Sequence, residues 1–229
     1  MLTWLERDDP FPSVETALKE PNGLLCAGAD LSEERLLAAY RRGIFPWYSG
    51  GEPILWWSPD PRMVLFCDEL KVSRSLAKSA RNKGYRVTAD SCFEEILSNC
   101  AKSRKDDAGT WLGKDMRRAY AALHRAGHAH SFETWQGEVL VGGLYGVAIG
   151  RAFFGESMFS RATDASKVAL VGLVATLRAR GLPMIDCQQR TPLLASLGAR
   201  EIPRRQFLRR LAALVNYSGP QEKWTCVPA

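Results

Sequence analysis

The sequence predicts an α+β protein in two parts: a small N-terminal α/β domain over residues 1–62 and a larger sheet-and-helix domain over residues 63–229. Three observations carry this. The first part is crowded with prolines (Pro10, Pro12, Pro21, Pro46, Pro53, Pro59 and Pro61), which bar long regular elements. From Arg62 onward, apolar runs of strand and of helix periodicity alternate. Residues 130–159 then hold three successive strand-like runs split at Gln136-Gly137 and Gly150, the pattern of an antiparallel meander.

In the N-terminal part, Ser32 is a good helix cap and Glu33 and Glu34 suit the first turn. Leu36, Leu37 and Tyr40 make an apolar stripe, and Gly43 closes the helix. Two short proline-bracketed loops follow, with Phe45, Trp47 and Tyr48 in one and Trp56 and Trp57 in the other. These aromatics either pack the small unit onto the rest or form a stacking wall for a base. Beyond them, residues 63–66 read as a strand, Ser73 opens a short helix, residues 85–88 read as a strand, and residues 91–101 as an amphipathic helix. A further helix covers residues 114–126. In the meander, Gly142-Gly143 is a candidate bulge. The long helix 165–180 ends at Gly181, residues 184–187 form a strand, and Pro203 starts a basic helix with Phe207, Leu208, Leu211 and Leu214 inward. Meander, long helix, strand, helix is the order of an acetyltransferase-like α+β core of the GNAT type.

The composition, 46% hydrophobic and 24% charged, is that of an ordinary soluble globular protein. A net charge of +6 favours a polyanionic partner without requiring one. The cysteines Cys26, Cys67, Cys92, Cys100, Cys187 and Cys226 contain no C-x-x-C pair and read as reduced core residues of a cytoplasmic protein. No run is long enough for a membrane span, so no membrane partner is expected. His124, His128 and His130 lack an acidic third ligand nearby and read as edge or solvent-facing residues, so no metal is expected.

Chemistry is concentrated in Gly155-Glu156-Ser157-Met158-Phe159-Ser160 and Asp186-Cys187-Gln188. Each sets polar side chains inside a run that otherwise reads as buried strand, which is costly unless they are paired. Residues two apart in a strand share a face, so Glu156 is expected to point with Met158, and Asp186 with Gln188. The long helix links the two strands, so all three polar residues can surround one cavity. The alternative is a buried hydrogen-bond network that only fixes strand register. The junction Ser160 to Lys167 has no glycine, which argues against the pyrophosphate grip of a coenzyme A site. Cys187 is read as core rather than nucleophile. Arg74, Lys78 and Arg81 recur at i, i+4 and i+7 on one helix face, either a solvated surface or a phosphate track.

The chain resembles the leucyl/phenylalanyl-tRNA–protein transferases. The resemblance runs from Phe11-Pro12 to Pro203-Arg204-Arg205 through Glu20-Pro21-Asn22-Gly23-Leu24-Leu25, residues 42–47 and 54–62, Gly109-Thr110-Trp111 and His128-Ala129-His130-Ser131. It continues through residues 141–147 and 155–161, Asp186-Cys187-Gln188 and Ser196-Leu197-Gly198-Ala199. Thr191-Pro192-Leu193-Leu194 departs from it, lacking a histidine expected before Ser196.

The resemblance implies a small N-terminal domain packed on an acetyltransferase-like domain that needs no cofactor. It implies transfer of Leu, Phe and less readily Met from aminoacyl-tRNA to proteins beginning with Arg or Lys, marking them for degradation. Gln188 would then orient the attacking amine through its carbonyl, Asp186 would polarise it, and Glu156 would hold an ammonium. Leu144, Phe153, Met158, Leu170 and Leu173 would make the apolar pocket, with Trp47 and Trp111 stacking near the terminal adenosine. Arg74, Lys78 and Arg81 would contact the tRNA backbone. Two rival classes are an aminoacyl-tRNA-dependent transferase acting on a cell-wall precursor, which should be larger, and a non-catalytic RNA-binding module, which leaves buried Glu156 and Asp186 unexplained.

Overall fold

A computed structural model describes residues 2–103, 112–217 and 223–226. The N-terminal part is more regular than its prolines suggest. It holds β1 (Thr3–Leu5), β2 (Leu24–Gly28), α1 (Glu33–Arg41), β3 (Phe45–Pro46) and β4 (Leu55–Trp57), with the strands in one sheet ordered β1-β2-β4-β3. Strands this short carry no readable alternation, and Pro46 is tolerated because β3 lies at the sheet edge. In α1 the Ser32 hydroxyl accepts the Arg35 N–H at 3.3 Å, as its sequence signals predict.

The larger part runs β5 (Arg62–Phe66), α2 (Arg74–Asn82), β6 (Tyr85–Ala89), α3 (Phe93–Lys102), α4 (Lys114–Arg125), β7 (Ala129–Gln136), β8 (Val139–Ile149), β9 (Ala152–Ser160) and α5 (Ala165–Ala179). It continues with β10 (Met184–Gln188), α6 (Pro192–Ser196), β11 (Arg200–Ile202) and α7 (Arg204–Leu214). Its seven strands form one sheet in the order β11-β5-β10-β9-β8-β7-β6. The meander is present as predicted, and α5 carries the chain from β9 to its parallel neighbour β10, the usual crossover of a parallel pair. The result is the expected α+β, acetyltransferase-like core.

Two apolar clusters lie on opposite faces of this sheet. One joins the N-terminal unit, α3, α4 and α7 to Tyr145, Val147, Phe154 and Phe159. The other packs α5 against Phe132, Leu144, Phe153 and Ile185. The bulge expected at Gly142-Gly143 falls one residue earlier, at Val141, which is left over between the pairs Thr134–Gly142 and Trp135–Leu140. The two glycines are where helices approach the sheet: a Cβ at Gly142 would lie 2.6 Å from the Ala165 Cβ, and one at Gly143 2.5 Å from the Ile96 Cδ1. The register shifts fall beside them, between Thr134 and Trp135 and between Tyr145 and Gly146.

His130 also differs from its expectation of an edge or solvent-facing residue. β7 is an inner strand, and the ring is buried, 2.8 Å from Asp90 through Nδ1 and stacked on Trp224 at 4.0 Å. Among the described residues no group of three metal-ligating side chains comes together, and no helix is long and apolar enough to cross a membrane.

An ion pair within the large sheet lies where that sheet meets the N-terminal unit. Arg62, at the start of β5, is fully buried and grips Asp186 through both carboxylate oxygens, Nε to Oδ1 at 2.8 Å and Nη2 to Oδ2 at 2.7 Å. Its guanidinium carbon lies 4.8 Å from the Phe45 ring and 4.7 Å from the Phe207 ring. Removing one partner of such a pair leaves an uncompensated buried charge and costs ~3–5 kcal/mol. Asp186→Ala is therefore expected to lower the unfolding free energy by that amount in urea denaturation; a loss below about 1 kcal/mol would show that the pair is not what holds this junction.

Candidate active site

Beside the ion pair, between the N-terminal unit and the large sheet, lies a cavity of about 400 Å³. Parallel pairing sets Asp186 opposite Phe154, so Gln188, two residues further on, comes level with Glu156. Both strands are irregular there. The partners of Tyr145 and Gly146 are Ser157 and Gly155, which leaves Glu156 as an extra residue in β9. β10 shifts register between Asp186 and Gln188, where Gln188 takes a left-handed φ of 63°. A non-glycine residue there costs ~1–2 kcal/mol, and the Asp186 Oδ1, accepting the Gln188 N–H at 2.9 Å, holds it in place.

Glu156 is the centre of the polar cluster. Its Oε1 accepts the Tyr40 hydroxyl and the Gln188 amide, each at 2.8 Å, and its Oε2 accepts the Tyr120 hydroxyl at 2.7 Å. The two tyrosine oxygens are themselves 2.7 Å apart. Burial raises both phenols well above their ordinary range, so they remain donors. Among the described residues Glu156 has no cationic partner. Burial, helped by the nearby Asp186 charge, raises its carboxyl to about 7, with the three hydrogen bonds opposing the rise. A group so placed exchanges a proton near neutral pH.

The remaining wall is apolar. Leu144, Met158, Leu170, Leu173, Ile185 and Leu194 line the cavity, and Trp47, 40% exposed, stands at its rim. Trp57 props Trp47, donating its indole N–H to the Trp47 carbonyl at 2.6 Å and meeting its ring edge-on. The structure thus gathers Glu156, Gln188, Leu144, Met158, Leu170, Leu173 and Trp47 around one space.

Several expectations need correction. Asp186 does not line the cavity: it is 1% exposed and committed to Arg62, so it does not reach an amine in the cavity. Phe153 is fully buried away from the cavity, with its ring beside Gly146 and Trp224. Glu156 and Met158 do not share a face, because the extra residue breaks the alternation; Glu156 reaches tyrosines of one apolar cluster while Met158 packs on the other. Cys187, read as a core residue, borders the cavity, but burial raises its thiol so far that it stays protonated. Trp111 lies outside the described residues. Arg74, Lys78 and Arg81 are exposed on α2 and do not line the cavity.

Tyr40, Tyr120 and Arg62 escaped the sequence reading. Tyr40 did sit in a buried stripe, where a phenol needs a hydrogen-bond partner, and Arg62 began an otherwise apolar strand.

The Glu156 carboxyl sets a stability trend with pH. Its folded value lies above the ordinary 4.5, so the folded state keeps a proton that the unfolded chain has released. Stability from this group therefore falls as pH rises from about 4.5 to about 7, by on the order of 3 kcal/mol at 1.36 kcal/mol per pH unit. Glu156→Gln should flatten that decline in unfolding free energy measured across the range; an unchanged pH slope would contradict the assignment.

Comparison with known proteins follows the same lines. The family model described as leucyl/phenylalanyl-tRNA protein transferase matches residues 64–212, and that of the family's N-terminal domain matches residues 29–60. A protein of Nitrosomonas europaea named leucyl/phenylalanyl-tRNA–protein transferase is 60% identical over 224 residues, covering 98% of this chain and 95% of its own length. One of the same name from Stutzerimonas stutzeri is 62% identical over 213 residues, covering 93% and 94%. Among solved structures, one titled FemX superposes with a TM-score of 0.48 at 11% identity, over 79% of this chain and 71% of that one. The chain belongs to the leucyl/phenylalanyl-tRNA–protein transferase family of aminoacyltransferases.

Proposed function

We propose that this chain transfers Leu or Phe, and less readily Met, from aminoacyl-tRNA to the N-terminal α-amino group of proteins beginning with Arg or Lys, marking them for degradation in the cytoplasm. The observation that carries the reading is the cavity itself: an apolar space that ends on the Glu156–Gln188 pair. Leu144, Met158, Leu170 and Leu173 receive the side chain of the aminoacyl group. Trp47 stacks on the terminal adenosine.

An aminoacyl ester is already activated, so a neutral amine attacks it without a covalent enzyme intermediate. An α-amino group titrates at roughly 7.7–8.0, so part of it is neutral near pH 7. The enzyme then contributes positioning, worth up to ~7–11 kcal/mol, and a path for the proton. Gln188 donates its amide to Glu156, and its carbonyl oxygen accepts no hydrogen bond from the described residues. That oxygen takes an N–H of the incoming amine, and Glu156 holds the cationic amine and receives its proton. Asp186 acts through the backbone, fixing the Gln188 conformation. Residues 1–62 serve as the unit that brings Tyr40 and Trp47 to the larger domain of residues 63–229. α2 offers Arg74, Lys78 and Arg81 to tRNA phosphates.

Incubating Leu-tRNA carrying labelled leucine with a protein whose first residue is Arg should move label onto its N-terminus; no transfer would sink the reading. Glu156→Gln and Gln188→Ala should slow single-turnover transfer by about 10²-fold or more without unfolding the chain, and near-wild-type rates would remove the residue concerned from the chemistry. Narrowing the pocket with Leu144→Phe should penalise Phe more than Leu; equal losses would show that Leu144 does not select the side chain. Replacing Arg74, Lys78 and Arg81 together with Ala should flatten the slope of log affinity for tRNA against log salt by about two to three, roughly 0.9 per lost phosphate contact. Transfer from a minimal aminoacyl-adenosine donor should be almost unchanged, and an unaltered salt slope would mean this face is only solvated.

A further inference from the structure

Ser157 follows Glu156 in β9, and the register shift that makes Glu156 an extra residue brings both consecutive residues into the cavity lining, with the Ser157 hydroxyl itself buried just beneath the wall. Ser157 is 7% exposed, and its hydroxyl has no hydrogen-bond partner among the described residues. An orphan hydroxyl cut off from water costs ~1–3 kcal/mol, which alanine at the same position would avoid. Such a group in a native site calls for a partner from outside the chain.

The other polar groups of the wall narrow what that partner is. Glu156 and the Gln188 carbonyl are acceptors, suited to the N–H groups of an amine. The Gln188 amide is spent on Glu156, Gln189 and Thr191 are exposed at the mouth, and of the two other buried hydroxyl residues in the lining, Tyr145 and Ser157, Tyr145 has its ring packed edge-on against Tyr120. What acyl transfer still needs in the buried part is a donor for the carbonyl oxygen, which becomes negative as the amine adds. A buried serine hydroxyl, relieved of any partner of its own, is such a donor.

We propose that Ser157 is a further catalytic residue: with substrate bound, its buried hydroxyl turns about the Cα–Cβ bond into the cavity and donates a hydrogen bond to the carbonyl oxygen of the aminoacyl ester, stabilising the oxyanion. This rests on the acyl-transfer reading given above. The amine lone pair forms the new N–C bond while the carbonyl π pair moves to oxygen. Return of that pair expels the ribose oxygen, and the proton that the nitrogen gives up to Glu156 is passed on to that oxygen, so Glu156 ends the step in the state in which it began it. Ser157 changes no bond of its own.

The test uses the full chain with Leu-tRNA and a peptide beginning with Arg, comparing Ser157→Ala and Ser157→Thr with wild type. Ser157→Ala should lower kcat by about 10²-fold, with KM for aminoacyl-tRNA within about threefold of wild type. Its melting temperature should stay level or rise, because an unsatisfied buried hydroxyl has been removed, and Ser157→Thr should recover much of the rate. A kcat within about threefold of wild type would overturn the proposal, as would a loss confined to KM. So would a fall in melting temperature that accompanies the lost activity and that threonine does not repair. Wild-type chain that transfers nothing would sink the acyl-transfer reading and this proposal with it, whereas an active wild type beside an unimpaired Ser157→Ala would sink the proposal alone.

Discussion

The Arg62–Asp186 ion pair is the constraint on which the site depends. Both side chains are out of water, so their charges are tolerable only together. Phe45 from β3 and Phe207 from α7 lie against the guanidinium, so one side chain joins the small sheet, the large sheet and the last helix. From the same carboxylate, Oδ1 accepts the Gln188 N–H and stabilises a left-handed residue in the middle of the site. The aim of Gln188 and one contact between the two parts thus depend on the same ion pair.

Glu156 shows the opposite strategy. It is buried without a cation and surrounded by neutral donors, so burial outweighs its hydrogen bonds and its carboxyl rises to about 7. Such a group destabilises the fold near neutral pH, and that cost is what makes it reactive there. Its two tyrosines come from α1 and α4, so both parts of the chain contribute to its hydrogen-bonded surroundings. Register shifts at Glu156 and at Gln188 turn both side chains toward one space, a use of irregular strands common beside active sites.

The meander, the long crossover helix and the closeness of Glu156 to Gln188 were legible because each rests on local periodicity and chain connectivity. A strand, a helix and a parallel strand leave little choice but adjacency. What was not legible depends on partners far along the chain: Tyr40 is 116 residues from Glu156, and Arg62 is 124 from Asp186. Strict alternation misplaced Met158 relative to Glu156, because a single extra residue reverses the faces after it. His130 was misjudged since its neighbours Asp90 and Trp224 enter from β6's end and from the C-terminal segment. The N-terminal strands are too short, and too near prolines, to show a period at all.

The central claim is that the ion pair positions Gln188 against Glu156, and a paired substitution tests it most directly. Arg62→Met with Asp186→Leu replaces two charges by apolar groups of similar size, a change that often leaves stability unaltered or higher by ~1–4 kcal/mol. The account predicts a folded, stable double variant whose single-turnover transfer from Leu-tRNA is lowered by about 10-fold or more, because the Gln188 N–H has lost its acceptor. A stable double variant that transfers leucine at the wild-type rate would contradict it.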